Sequence, residues 1–204
     1  MILSGSNKVA PVLNGLVLAG GKSVRMGNDK GTIPWHGIPQ RSYMAGILQK
    51  FCEKVYISCR PEQVHEIGEY DTIQDSYSGI GPIGGILSAL KFAPAVAWLV
   101  TACDLPLLDK STIQYLAARR NIQSIATAFE SPFDHLPEPL ITIWEPRSYP
   151  ILLSYVEQGI SCPRKALIKC AAQVTLLQAP DPEALTNANT TADAEKVRAI
   201  LNIK

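Results

Sequence analysis

The sequence predicts an α/β domain of three layers, α/β/α, in which helices cover both faces of a mostly parallel sheet. Two observations carry this prediction. Short apolar runs alternate with helical stretches at the spacing of β–α–β units. Three of those runs also end in residues suited to chemistry: glycines after Ala19, a carboxylate at Asp75 and another at Asp104. In an open parallel sheet the ligand lies against the C-terminal ends of the strands, so all three places belong to one edge.

Taken in order, residues 1–13 read as a short extension and 14–204 as a single domain, without a linker or internal repeat. Residues 14–19 read as a buried strand and 20–37 as a long loop. Over 40–51, Tyr43, Ile47, Leu48 and Phe51 recur on one helical face. Val55–Ser58 reads as a second strand and Thr72–Gln74 as a short third one. The glycines at 79, 81, 84 and 85, with Pro82, punctuate a flexible loop that leads into a helix at about 83–92. Val96–Thr101 is an apolar strand, followed by a helix to Arg119 capped by Asp109 or Ser111. Ser124–Ala128 and Leu140–Trp144 read as strands around a polar loop at 130–137. Helices at 147–157 and 163–170, a strand at Val174–Leu177 and a closing helix at 192–201 complete the chain.

The composition narrows the function. The 204 residues, 47% hydrophobic, suffice for one domain with a sizeable core. A net charge of +1 argues against a broad nucleic-acid surface, so phosphate binding has to come from local cations. Five cysteines, an odd number without C-x-x-C, argue against a disulfide framework or a zinc site. No run reaches transmembrane length and no export signal stands at the N-terminus, which makes the cytoplasm the expected location.

The chemistry concentrates at Leu16–Lys30, LVLAGGKSVRMGNDK. A strand that stops at Gly20-Gly21 brings bare backbone N–H groups close to a ligand. Lys22, Arg25 and Lys30 follow, and cations at such intervals can surround a polyphosphate. It is not a Walker A loop, because position 16 is Leu where that motif needs Gly, and no G-x-G-x-x-G occurs. Asp104, in Ala102-Cys103-Asp104-Leu105-Pro106, ends an apolar strand and suits Mg²⁺, a hard cation that bridges phosphates. A turn or helix-capping role is the plainer reading of Asp104 taken alone. Asn187 and Asn189, two apart on extended chain, point the same way and can grip a polar ligand together; turn residues and an N-cap for the last helix are the plainer reading of Asn189-Thr190.

The first motif resembles the L-A-G-G-x-S-x-R-M-G-x-D-K loop of the molybdenum cofactor guanylyltransferases, the MobA-like branch of the nucleotidyltransferases. The likeness extends to Cys103-Asp104-Leu105-Pro106, to Gly81-Pro82-Ile83-Gly84-Gly85-Ile86 and to Asn187-Ala188-Asn189-Thr190, across about residues 14–200. It implies a Rossmann-like sheet of the nucleotidyltransferase type. It also implies transfer of GMP from GTP to molybdenum-bound molybdopterin, with pyrophosphate released. Under the resemblance Leu18, Ala19, Gly20, Gly21, Lys30, Asp75 and Asp104 bind GTP, with the Leu18–Gly20 backbone meeting the base. Lys22, Arg25, Lys30 and Asp104 act in catalysis, Asp104 holds Mg²⁺, and Asn187 and Asn189 meet molybdopterin. An upstream enzyme of cofactor synthesis or a downstream molybdoenzyme is the expected protein partner.

Three departures from the family stand out. Cys59 occupies the place of an Asn that contacts the nucleotide, and a thiol is a poor hydrogen-bond partner. The ESPFDHLPEPL segment matches only loosely, and Cys162-Pro163-Arg164-Lys165 replaces a variable helix start. Arg164 and Lys165 there can face an anionic substrate or simply form a solvated helix end. Three other functions remain: a sister enzyme using CTP, a sugar-phosphate nucleotidyltransferase, and a nucleotide-binding adaptor without catalysis.

Overall fold

The computed structural model describes residues 9–21 and 29–203. Seven strands form one sheet: β1 Leu13–Leu18, β2 Val55–Cys59, β3 Asp71–Gln74, β4 Ala97–Ala102, β5 Ala126–Glu130, β6 Pro137–Trp144 and β7 Val174–Leu177. Their order is β3-β2-β1-β4-β6-β5-β7. All pairings are parallel except those of β6, which runs antiparallel to both β4 and β5.

The reversal at β6 follows from chain length. Six residues separate β5 from β6, enough for a hairpin and too few for a crossover helix. β6 is also longer than the sequence suggests, beginning at Pro137 rather than Leu140. Its pairing with β4 covers only Ile141–Trp144. Pro137 and Pro139 therefore sit where the β4 side is open, and a missing N–H breaks no ladder bond there. As a result Glu138 and Leu140 stand above the C-terminal end of β4. β5 begins at Ala126, two residues later than expected.

Strand side chains alternate between two cores, as a period of 2 requires. Val17, Ile57, Leu99, Phe129 and Ile143 pack with Met44, Leu48 and Leu116 from α1 (Gln40–Leu48) and α3 (Lys110–Ala118). Leu16, Tyr56, Trp98, Val100 and Trp144 pack with Ile86, Leu90, Leu152 and Leu167 from α2 (Pro82–Phe92), α4 (Ser148–Glu157) and α5 (Pro163–Lys169). Each fully buried Leu, Ile or Phe contributes about 1.5–3 kcal/mol relative to exposure, so both helical layers are held by burial rather than by propensity. Helix α6 (Thr191–Leu201) packs separately, setting Ala194 and Val197 against Trp35.

Local signals set the helix ends. Asp109 caps α3 by accepting from the Thr112 N–H at 2.9 Å. Thr190 and Asp193 form a reciprocal capping box at α6. No helix among the described residues is long and apolar enough to cross a membrane.

Candidate active site

The strand order places the three predicted strand ends side by side. Along the C-terminal edge come Asp75 after β3, Cys59 at β2, Ala19–Gly21 after β1 and Asp104 after β4. A cleft of about 700 Å³ runs along this edge, lined by Leu18, Ala19, Gly20, Gly21, Lys30, Asp75 and Asp104 among others. That is the size range of a small-molecule site. A second hollow of about 480 Å³ adjoins it and includes Glu138, Arg164, Asn187 and Asn189. The two share Pro82, Asp104 and Leu140. Asp104 thus sits at the junction. Lys22 and Arg25 lie outside the described residues.

Lys30 and Asn189 connect the two hollows, with the Lys30 ammonium donating to Asn189 Oδ1 at 2.5 Å. The chain brings them together across 159 residues by a backbone bond, in which the Ala188 N–H donates to the Asp104 carbonyl at 2.8 Å. Buried Ala188 seats this segment, so the flanking amides of Asn187 and Asn189 both line the second hollow. Asp193 Oδ2 fixes the turn by accepting from the N–H groups of Asn189 and Thr190 at 3.0 and 2.9 Å. Those bonds, with that from the Thr190 side chain, hold the Asp193 carboxyl below the usual carboxylate range.

Asp104 is the electrostatic focus. Burial pushes its carboxyl above the ordinary Asp value; Lys30 opposes the shift and Glu138 adds to it. Among the described residues its Oδ1 is buried with no hydrogen-bond partner. A buried carboxylate oxygen left without a donor is costly unless a cation meets it. A carboxylate oxygen suits a hard divalent ion, which takes oxygen ligands.

Asp75 is held from three sides. Its Oδ1 accepts from the Tyr77 N–H at 2.8 Å and from the Ser88 hydroxyl at 3.2 Å, while its backbone N–H donates to the Cys59 carbonyl at 3.3 Å. The glycine pair in α2 permits this closeness. A Cβ on Gly84 would lie 2.5 Å from the Tyr77 carbonyl oxygen and 2.9 Å from Asp75 Oδ2. One on Gly85 would lie 2.6 Å from Ser58 Oγ and 2.8 Å from Leu18 Cδ2. Gly81, at φ +74°, makes the turn into the helix.

Cys59 is fully buried although it borders the cleft, and burial pushes its thiol up, so it remains protonated. Ser58 and Arg60 are the polar side chains at that point of the wall. Arg164 reaches the second hollow in a fork, Nη1 to Asp134 at 2.7 Å and Nη2 to Glu138 at 2.8 Å. The basic pair at 164–165 signalled it in the sequence. Glu138 gave no such signal, because its place depends on the extension of β6.

A family model described as the MobA-like NTP transferase domain matches residues 15–174. A molybdenum cofactor biosynthesis bifunctional protein from Synechocystis sp. is 37% identical over 157 residues, 76% of this chain and 45% of that one. The chain thus spans less than half the length of that relative. A molybdenum cofactor guanylyltransferase from Pseudomonas paraeruginosa is 30% identical over 189 residues, 86% of this chain and 89% of that one. Among solved structures, molybdopterin-guanine dinucleotide biosynthesis protein A from Archaeoglobus fulgidus superposes with a TM-score of 0.75 at 21% identity, covering 93% of this chain and 98% of that one. With a matched region that takes in the glycine turn, Asp75 and Asp104, the chain belongs to the family of MobA-like NTP transferase domains.

Proposed function

We propose that this protein transfers GMP from GTP to the phosphate of molybdenum-bound molybdopterin and releases pyrophosphate. The observation that carries this reading is the meeting of two hollows at Asp104 and the Lys30–Asn189 contact. A transfer between two bound substrates needs two sites with a common boundary, and the charged groups belong at that boundary. Guanylyltransferase relatives that align along most of their own length support the choice of substrates.

The larger cleft takes the nucleotide. Its base lies toward Asp75 and the Leu18–Gly20 backbone, and its phosphates lie at Gly20, Gly21 and Lys30. The smaller hollow takes the acceptor, with Asn187, Asn189 and Arg164 turned to its polar groups. An acceptor phosphate oxygen attacks the α-phosphorus; its new P–O bond forms as the bond to pyrophosphate breaks. Because that oxygen is already anionic, no protein nucleophile is needed, and positioning and electrostatics dominate. Lys30, at the boundary, offsets charge that builds on the transferring and leaving groups. Lys22 and Arg25 carry the same role from the glycine loop. Asp104 would hold Mg²⁺ through Oδ1, which meets no donor among the described residues. When bound, the ion supplies Lewis-acid charge to the phosphate oxygens.

Pyrophosphate release in the presence of Mg²⁺ and molybdenum-loaded molybdopterin tests the substrates, with GTP and CTP supplied in parallel. Release with GTP and formation of the guanine dinucleotide cofactor is the expected result. Release with CTP alone would move the protein to the cytidylyl reaction. The fold alone does not choose the base: a 4-diphosphocytidyl-2C-methyl-D-erythritol synthase from Anaerococcus prevotii superposes with a TM-score of 0.69 at 12% identity.

A further inference from the structure

Gln63 is 5% exposed and lies behind the cleft wall, in the short 3-10 helix Pro61–Glu66. Its amide uses both donors and both lone pairs. Nε2 donates to the Ala19 carbonyl at 3.4 Å and to Asp29 Oδ2 at 3.0 Å. Oε1 accepts from the Arg60 N–H at 3.1 Å and from Arg60 Nε at 3.2 Å. A buried amide with all four positions engaged is a fixed spacer rather than a filler.

The partners are informative. Ala19 follows directly on β1, where the backbone meets the nucleotide, and Asp29 immediately precedes Lys30. Asp29 Oδ1 accepts from the Gly31 N–H at 2.8 Å and caps the short helix Lys30–Thr32. A second brace reaches Asp29 from the same direction. Arg41, 7% exposed, places Nη1 3.9 Å from Asp29 Oδ2, and its Nη2 donates to the Glu66 carbonyl in the helix that carries Gln63. The backbone turn that presents Lys30 is therefore set from residues 61–66.

We infer that Gln63 is a positioning residue for the transfer: through Asp29 it fixes Lys30 relative to the end of β1. This rests on the reading of Lys30 as a phosphate-binding cation. Gln63 itself touches no substrate. The residue type follows from the bonds. Leu would fill the space and lose all four. Glu would keep the two accepted from Arg60 but turn a carboxylate toward Asp29, where two like charges repel.

The test is a double-mutant cycle on Gln63→Leu and Lys30→Ala, with two readouts. One is pyrophosphate release. The other is binding of inorganic triphosphate by calorimetry, which requires neither the correct base nor the correct acceptor. Gln63→Leu should lower turnover by up to about 100-fold, the scale of a misplaced reacting group, while melting as a folded protein. In the Lys30→Ala background it should cost nothing further in either readout, because its effect passes through Lys30. The loss in Gln63→Glu should shrink relative to wild type as the pH falls, since a shared proton restores a donor between the two carboxyls. The charged groups around that pair are Lys30, Arg41, Arg60 and Glu62, which pairs with Arg60 at 3.0 Å, with the Cys103 thiol nearby, and the substitution alters none of them. Additive losses in the cycle, an unchanged pH profile for Gln63→Glu, or wild-type protein that binds no triphosphate would each overturn the inference. Coupled triphosphate binding without GTP turnover would leave Gln63 in its role and reject the guanylyl reaction instead.

Discussion

Replacing Asp104 by asparagine should stabilise the metal-free protein and abolish turnover. The two effects share one cause. The carboxyl is pushed above the ordinary Asp value because burial outweighs the attraction of Lys30, so ionised Asp104 is a net cost to the fold. The amide leaves the buried Oδ1 as unmet as the carboxylate does, so the gain comes from the buried charge alone. Lys30 offsets part of the charge cost in the wild type, which leaves a gain of about 1 kcal/mol for the neutral amide, or about 2–4 °C in Tm for a domain of this size. The pH dependence has a definite sign. A raised folded-state value means that stability is fully present below the ordinary Asp value, near ~4, and is lost as the pH rises through the folded-state value. The Tm advantage of Asp104→Asn should therefore vanish in acid and grow toward neutrality. Thermal unfolding of both proteins in chelator, across a pH series, measures it. Turnover should fall at least ~100-fold, the usual cost of removing one preorganised charge. A lower Tm for Asp104→Asn at neutral pH, or an advantage that does not grow with pH, would refute the reasoning.

Gly84→Ala should lose about 1–3 kcal/mol to overpacking, because the new methyl meets the Tyr77 carbonyl and the Asp75 carboxylate; denaturant melts and nucleotide affinity should worsen together. Glu145→Ala should cost about 3–5 kcal/mol, since it strands Arg120, whose guanidinium now makes bonds of 2.7 and 2.9 Å to a carboxylate only 1% exposed. Its urea midpoint should drop with little change in KM for GTP among molecules still folded. Arg164→Ala should raise KM for the acceptor and leave GTP affinity unchanged, a split that steady-state kinetics and calorimetry resolve. Of the two hollows described, Arg164 lines the smaller.

Much of this was legible in the sequence because the signals are local. The glycine turn after Ala19, the Asp after a buried strand at 104 and the Thr190 cap each lie within a few residues of the feature they set. Six of the strands run as β–α–β spacing predicts. What was not legible depends on long-range pairing. Glu138 enters the site only because β6 outruns β4, and its two prolines hid the start of the strand. Lys30 meets Asn189 only because the Ala188 N–H bonds the backbone of Asp104. Gln63 reads as an ordinary polar residue in the sequence; its role becomes visible once the ends of β1 and β2 stand side by side. Cys59 shows the same limit from the other side, since burial inside the wall decides what its thiol can do.

The most direct measurement is transfer of label from GTP carrying it on the α-phosphate. Wild-type protein with Mg²⁺ and molybdenum-loaded molybdopterin should place the label in a guanine dinucleotide product, and Lys30→Ala and Asp104→Ala should not. Label that stays in GTP with folded, nucleotide-binding wild type, or passes equally well in the two variants, would contradict a guanylyl transfer centred on Lys30 and Asp104.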